Sequence, residues 1–132
     1  MKVGQFFNPN EWFYGAFIPN VLLRNPNLSA STKLLYARLA EYCRRDGSDK
    51  CYPSHETLAG ELGLSANRIA QLIKELVDAG FIVAIRPTGV DRLKHKTIRY
   101  KFPWHPSFES ADTSDIRNPE NPDMKILRTV ER

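Results

Sequence analysis

Two amides and a lysine recur at helical spacing in the middle of the chain: Asn67, Gln71 and Lys74. At 100° per residue, these side chains fall within about 60° of one another, and the nearby apolar stripe centres about 190° from Asn67. Asn and Gln can each pair bidentately with adenine N6 and N7, and a lysine can reach guanine or a phosphate. The spacing therefore indicates a helix face that could read base edges; for any one of these residues, a solvated helix surface is the alternative.

Two short amphipathic helices joined by a Gly-Leu-Ser turn must position this face. Ser54 can cap the first helix, and Gly63 supplies the left-handed residue that ends it. Small Ala59 suits a close crossing of the two helices. Ser65 can cap the second helix, whose apolar residues recur at i, i+3, i+4 and i+7: Ile69, Leu72, Ile73 and Leu76. The combination is the pattern of a DNA-binding helix-turn-helix, and two core helices of an unrelated α-helical domain are the alternative.

Positive charge is concentrated after these helices. Residues 81–102 hold six cationic side chains against Asp91 alone, a net of +5 where the whole chain has +4. Residues 54–80 hold two cations against four acids, a net of −2. The later segment is therefore expected to supply most of the attraction for a polyanion, whereas a loop that only adds solubility is the alternative.

The order of elements predicts a winged helix-turn-helix fold, mainly α with a small antiparallel β-hairpin. Residues 1–28 are expected to form extended segments and turns, with a short helix near Pro19 to Arg24. A long helix over 29–45 is expected to follow, and then a brief edge strand at Lys50 to Tyr52. Strands are expected at 81–85 and from about 96 to 102, with a basic loop between them. Three regions follow: an aromatic N-terminal extension (1–16), the winged domain (17–102) and a proline-rich tail or linker (103–132).

The predicted DNA contacts divide between the helices and the hairpin tip. Recognition helices read bases mainly from their N-terminal half, and amide ends of helices can anchor phosphates. The hairpin tip would lie over the backbone or enter a minor groove. The candidate DNA-binding residues are Ser54, Ser65, Ala66, Asn67, Arg68, Gln71, Lys74, Arg92, Lys94, His95 and Lys96.

Several classes of protein are not expected. The run His55-Glu56-Thr57-Leu58-Ala59 begins like the zinc-protease motif H-E-x-x-H, but Ala59 stands in place of the second histidine. Cys43 and Cys51 are eight apart, which does not suit a zinc knuckle, so two buried thiols are expected. We therefore expect no enzymatic activity, no cofactor and no metal. No signal peptide or membrane span is evident, and a reduced cytoplasmic setting is expected.

Several stretches of the chain resemble the helix-turn-helix domain 36 family. They are Pro19 to Leu23, Leu28-Ser29 with Lys33 to Tyr36, Cys51 to Ala59, and Ile73 to Leu76 with Gly80-Phe81-Ile82. The likeness spans roughly residues 17–102. Members of this family are winged-helix modules similar to the N-terminal domains of plasmid and phage replication initiators. The resemblance implies sequence-specific binding of double-stranded DNA, with residues 65–74 in the major groove and the wing, 88–96, beside it.

The expected function is replication initiation or transcription regulation in a plasmid or phage context. A winged-helix protein-interaction module that does not bind DNA is the alternative. A third reading, single-stranded nucleic acid binding by the N-terminal aromatics, would depend on Trp12 and Tyr14. One module buries little surface on DNA, so a homodimer, or a further C-terminal domain linked through the tail, is left open.

Overall fold

The structure is a computed structural model, and it describes residues 1–46, 50–88 and 98–110. Most of these residues form helices, and three short strands make one small sheet. In chain order the elements are α1 (Pro9–Trp12), α2 (Asn20–Leu23), α3 (Ala30–Asp46), β1 (Lys50–Cys51), α4 (His55–Leu62), α5 (Ala66–Asp78), β2 (Val83–Ile85), β3 (Arg99–Lys101) and a final 3₁₀ turn (Pro106–Ser110). The mainly α fold with a small antiparallel hairpin is confirmed.

The long helix α3 forms the centre of the domain. Ser29 caps it, because the Ser29 hydroxyl accepts the Thr32 N–H at 3.2 Å. The expected start at Ser29 is therefore one residue before the first helical residue. The helix packs against α4, α5 and β1. The fully buried large side chains around it are Leu22, Leu35, Leu39, Leu58, Ile69, Leu72, Leu76, Ile82 and Tyr100.

The sheet closes one side of this core. β3 lies between β1 and β2 and runs antiparallel to both, with Tyr100 opposite Cys51 on one side and Ala84 on the other. Tyr100 and Cys51 are fully buried, so this row faces the helices. The edge strand predicted at Lys50 to Tyr52 is confirmed for Lys50 and Cys51, and Tyr52 lies just after it. The strand expected at 81–85 is shorter, because Phe81 and Ile82 are both buried in the core before the ladder begins.

The N-terminal region departs from the expected extended segments and turns. Asn8 caps α1 by accepting the Asn10 N–H at 3.0 Å, and Pro9 occupies the first turn. No residue of α1 is buried. Tyr14 and Phe6 are fully exposed and Trp12 is 57% exposed. These aromatics are therefore not part of the core.

None of the helices that the structure describes combines the length and apolar character that a bilayer-spanning helix needs.

A complete Schellman motif ends α5. Phe81 N–H donates to the Leu76 carbonyl and Gly80 N–H to the Val77 carbonyl, each at 3.0 Å. Gly80 supplies the left-handed residue of this motif, with a φ of +84°. The motif turns the chain sharply from α5 into the sheet.

Replacing Gly80 by alanine should lower the free energy of unfolding by about 1–2 kcal/mol, because a Cβ strains left-handed backbone. Gly60→Ala is the matched control, since Gly60 lies in the exposed interior of α4 and an added Cβ meets none of the described residues within 4 Å. That change should raise stability by about 0.5–1 kcal/mol. Urea unfolding followed by circular dichroism measures the stability of both variants. Equal effects of the two changes would contradict the assignment of Gly80 as the left-handed residue of the Schellman motif.

Candidate nucleic-acid interface

The turn between α4 and α5 is built from two serine caps and one left-handed glycine. The Ser54 hydroxyl accepts the Thr57 N–H, and the Ser65 hydroxyl accepts the Arg68 N–H, each at 3.1 Å. Gly63 has a φ of +68°, and Leu64 N–H donates to the Ala59 carbonyl at 3.0 Å. Both caps and the glycine were expected from the sequence. The two serine caps and the left-handed glycine together set the direction in which α5 leaves the turn.

The apolar stripe of α5 faces inward as expected. Ile69, Leu72 and Leu76 are fully buried and Ile73 is 7% exposed. The helix packs against both α3 and α4, with Ala59 buried at 9% exposure. The opposite side of α5 is consequently left in water, and its orientation is set by the core.

The exposed side of α5 carries the predicted base-reading residues. Asn67, Arg68, Gln71 and Lys74 are all exposed, and Ala66 beside them is half-buried. The structure therefore brings these five residues to the first two and a half turns of one helix. Ser65 is exposed at the helix start, whereas Ser54 is half-buried at the start of α4.

Two side-chain pairs cross this surface. Arg68 Nη1 donates to Gln71 Oε1 at 3.2 Å, and Lys74 Nζ donates to Asp78 Oδ2 at 2.9 Å. The hydrogen bond to Asp78, together with its negative charge, raises the pKa of Lys74. Lys74 and Asp78 are 77% and 62% exposed, so water screens the pair strongly. Lys74 can thus be redirected toward a ligand at little cost.

A polar network holds α4 against α3 behind the exposed face. The Arg38 guanidinium binds both Glu41 and Glu61, and the Tyr42 hydroxyl donates to Glu61 Oε1 at 2.7 Å. Arg38 also lies 4.8 Å from the centre of the Tyr42 ring. Its hydrogen bond to Glu61 is the main cause that raises the pKa of Arg38. The network fixes the crossing of the two helices.

A second polar contact joins the sheet to α4. The Tyr100 hydroxyl lies 3.2 Å from His55 Nε2, in the first turn of α4. Burial is the main cause that raises the pKa of Tyr100 to about 12. Tyr100 therefore acts as a neutral hydrogen-bonding phenol at the centre of the sheet.

The predicted wing contacts Arg92, Lys94, His95 and Lys96 lie outside the described residues. What is described is the base of the hairpin, where Arg99 and Lys101 flank the inward-facing Tyr100. Strand alternation places both cations on the outer face of the sheet, where Lys101 lies opposite Lys50 of β1. The net charge of the segment alone does not assign these cations to a surface, whereas the alternation around Tyr100 is the sequence signal that does.

An open groove of about 630 Å³ runs along the C-terminal half of α5. Its lining includes Gln71, Lys74 and Asp78 of α5, Asn25 and Asn27 of the segment before α3, and His105 after β3. Sequence reasoning singled out neither the asparagines nor His105, since no periodic pattern connects them to α5. The exposed face of α5 thus continues into a groove lined by both polar and apolar side chains.

The described residues offer little for a metal ion. Within residues 1–46, 50–88 and 98–110, no three His, Cys, Asp or Glu side chains form a group that could hold one. The expected burial of Cys43 and Cys51 is confirmed, and both are thiols outside any disulfide.

The architecture is that of a winged-helix domain: a helix-turn-helix followed by an antiparallel hairpin on a three-stranded sheet. Residues 27–82 match the model of a family described as "Helix-turn-helix domain". The match covers α3, α4 and α5, including the turn between α4 and α5. None of the curated proteins matches the chain.

Three solved structures share the fold. The first, "N-Terminal domain of DNA binding protein", is 21% identical with a TM-score of 0.55, over 91% of this chain and 97% of that one. "Structure of MDR initiator" is 19% identical with a TM-score of 0.52, over 97% and 99% of the two chains. "Structure of Rep-DNA complex" is 20% identical with a TM-score of 0.52, over 92% and 97%. Likeness at this identity shows a common fold.

Proposed function

We propose that the chain is a sequence-specific double-stranded DNA-binding protein that acts in replication initiation or transcription regulation of a plasmid or phage. The observation that carries the proposal is the two-sidedness of α5. One side is buried against α3 and α4, and the other presents Asn67, Arg68, Gln71 and Lys74 to solvent. Amide and cationic side chains on an exposed helix of this kind match the donor and acceptor pattern of the major groove.

The comparisons support this proposal. The matching family is a helix-turn-helix family, and two similar structures are described as an MDR initiator and as a Rep–DNA complex. These descriptions favour initiation over transcription regulation. The role of the chain as a binding protein, without enzymatic activity or cofactor and in the cytoplasm, is part of the same proposal.

The two halves of the interface have different tasks in the proposal. The α4–α5 segment is net acidic, so α5 supplies base contacts more than general attraction for phosphates. Residues 81–102 have a net charge of +5 and supply most of the attraction for the phosphate backbone. A direct test is selection of duplexes from a random pool with the full chain. An enriched palindrome supports a dimeric regulator, tandem direct repeats support an initiator, and a pool without enrichment contradicts sequence-specific binding.

Asn67→Ala and Gln71→Ala should each relax the preference at one base of the selected site. Losing a bidentate contact costs about 1–3 kcal/mol of discrimination against the wrong base. Binding to a panel of single-base variants of the site measures the effect. Asn10→Ala removes an exposed amide from α1 and is the matched control. A base preference that is unchanged in both Asn67→Ala and Gln71→Ala would contradict the proposal that α5 contacts the bases.

Reversing three wing charges, Arg92→Glu, Lys94→Glu and Lys96→Glu, should abolish retention of duplex DNA. In the wild-type protein, one wing is expected to neutralise about five phosphates. The logarithm of the DNA-binding constant should then fall with the logarithm of salt concentration at a slope of about −4 to −5 per wing. The matched control reverses three charges of the tail: Arg117→Glu, Lys125→Glu and Arg128→Glu. Retention that survives the wing reversal, or a slope near zero, would instead favour the alternative of a protein-interaction module.

We further propose that the chain is a homodimer and that the N-terminal aromatic side chains provide contacts between the two subunits. Tyr14 is fully exposed and Trp12 is 57% exposed, although both are large apolar side chains. Sedimentation should give twice the 15.1 kDa of one chain, and Trp12→Ala with Tyr14→Ala should shift it to the monomer. Wild type that sediments as a monomer contradicts the homodimer. Loss of single-stranded DNA binding in the same variant would assign the aromatics to nucleic acid.

The tail is proposed as a linker to a further C-terminal domain. This remains separate from the DNA-binding proposal, because the interface described above lies within residues 1–110.

A further inference from the structure

A short segment after the sheet covers the end of α5. Residues 103–110, called the C-terminal strap here, follow β3 and include the 3₁₀ turn at Pro106–Ser110. Phe108 N–H donates to the His105 carbonyl at 2.9 Å, which closes the strap into a turn. From the sequence, these residues were expected to belong to the proline-rich tail or linker. That boundary stays a prediction for residues 111–132, which lie outside the described residues.

His105 joins the strap to α5 by hydrogen bonds. His105 Nε2 lies 2.9 Å from the Ala79 carbonyl oxygen, and because a carbonyl only accepts, Nε2 must carry the proton. His105 Nδ1 accepts the Ser107 N–H at 3.0 Å. Ala79 is the C-terminal cap of α5. One neutral tautomer of His105 therefore satisfies both contacts and binds a carbonyl that the helix cannot pair itself.

Aromatic packing adds a second attachment. The His105 ring stacks on Phe81 with centroids 3.9 Å apart and planes at 13°. Phe108 packs 6.1 Å from the same Phe81 ring, and Trp104 packs edge-on to Phe108 at 5.1 Å. Phe81, only 3% exposed, is the residue whose N–H closes the Schellman motif of α5. The C-terminal strap therefore contacts both Ala79, the cap of α5, and Phe81, which closes the Schellman motif.

The two ends of α5 are held by different parts of the chain. Ser65 and α4 hold its N-terminal end, while the Schellman motif and His105 hold its C-terminal end. The helix has 13 residues and is about 20 Å long. A swing of about 5° about the N-terminal end would move Asn67 by about 0.1 Å, but Gln71 by about 0.7 Å and Lys74 by about 1 Å. Contacts far from the pivot are the sensitive ones.

We propose that His105 is a positioning residue for the reading face of α5, so that the DNA-reading unit extends into the strap, beyond the family match at 27–82. The proposal rests on the proposed DNA-binding function. Binding groups must be held within about 0.5 Å of their productive geometry, which is less than the displacement that a small swing gives Gln71 and Lys74. His105 also lines the groove that contains both of these side chains.

The test compares His105→Ala with His105→Gln in the full chain. Glutamine can return a donor to the Ala79 carbonyl through its side-chain amide. Glu109→Gln is the strap control, because its retained carbonyl oxygen can still accept the Trp104 Nε1–H now seen at 3.0 Å from Glu109 Oε1. Each variant is titrated with the selected duplex, its single-base variants and a scrambled duplex.

His105→Ala should lower discrimination about fivefold or more at the bases assigned to Gln71 and Lys74, while discrimination at the Asn67 base changes less than twofold. His105→Gln should recover most of the loss, and Glu109→Gln should match wild type. An equal loss at every base would mean that His105 only stabilises the fold, and would overturn the proposal.

A DNA-free measurement separates this inference from the proposed function. Amide hydrogen exchange of Gly80 and Phe81 should be faster in His105→Ala, whereas that of Ile69, which donates to Ser65, should stay as in wild type. Unchanged exchange at Gly80 and Phe81 overturns the positioning role whatever the DNA result. Wild type that retains no duplex overturns the proposed function instead, irrespective of the exchange data.

Discussion

Four aliphatic side chains of α5, at most 7% exposed, join this helix to α3 and α4: Ile69, Leu72, Ile73 and Leu76. Burial of each such side chain is worth about 1.5–3 kcal/mol, far more than any exposed polar contact on the same helix. The core therefore determines how α5 is rotated about its axis. Because the core sets this rotation, different polar residues can occupy the exposed positions of α5 without changing which positions face a ligand.

Charge is arranged in a way that separates reading from attraction. The helix-turn-helix segment has a net charge of −2, and Lys74 on its exposed face is paired with Asp78. A helix of this kind gains little from approaching phosphates at random, whereas hydrogen bonds to matching base edges are still available. Of the cations after Gly80, Arg99 and Lys101 lie on β3. In the proposed DNA complex, weak attraction between α5 and phosphates would make the contribution of α5 depend on its fit to the bases.

Local signals predicted the helix-turn-helix and failed where the chain makes distant contacts. Serine caps, Gly63 and the spacing from Ile69 to Leu76 depend on neighbours within one or two turns, so the sequence displays them directly. The stack of Phe81 on His105 joins residues far apart in the chain and leaves no periodic trace. Proline-rich composition even pointed to a tail there. The α1 cap at Asn8 was visible, but the aromatic composition around it favoured extended segments.

The hairpin and the strap meet at one place on α5. Phe81 leads out of the helix into β2, and His105 returns after β3 to stack on that same ring and bind the Ala79 carbonyl. β2 and β3 have only three residues each, so their ladder alone constrains the hairpin weakly. Anchoring both ends of this segment at the end of α5 adds a much firmer constraint. The end of α5, from which the chain passes into β2, is therefore held by His105, a residue outside the helix-turn-helix itself.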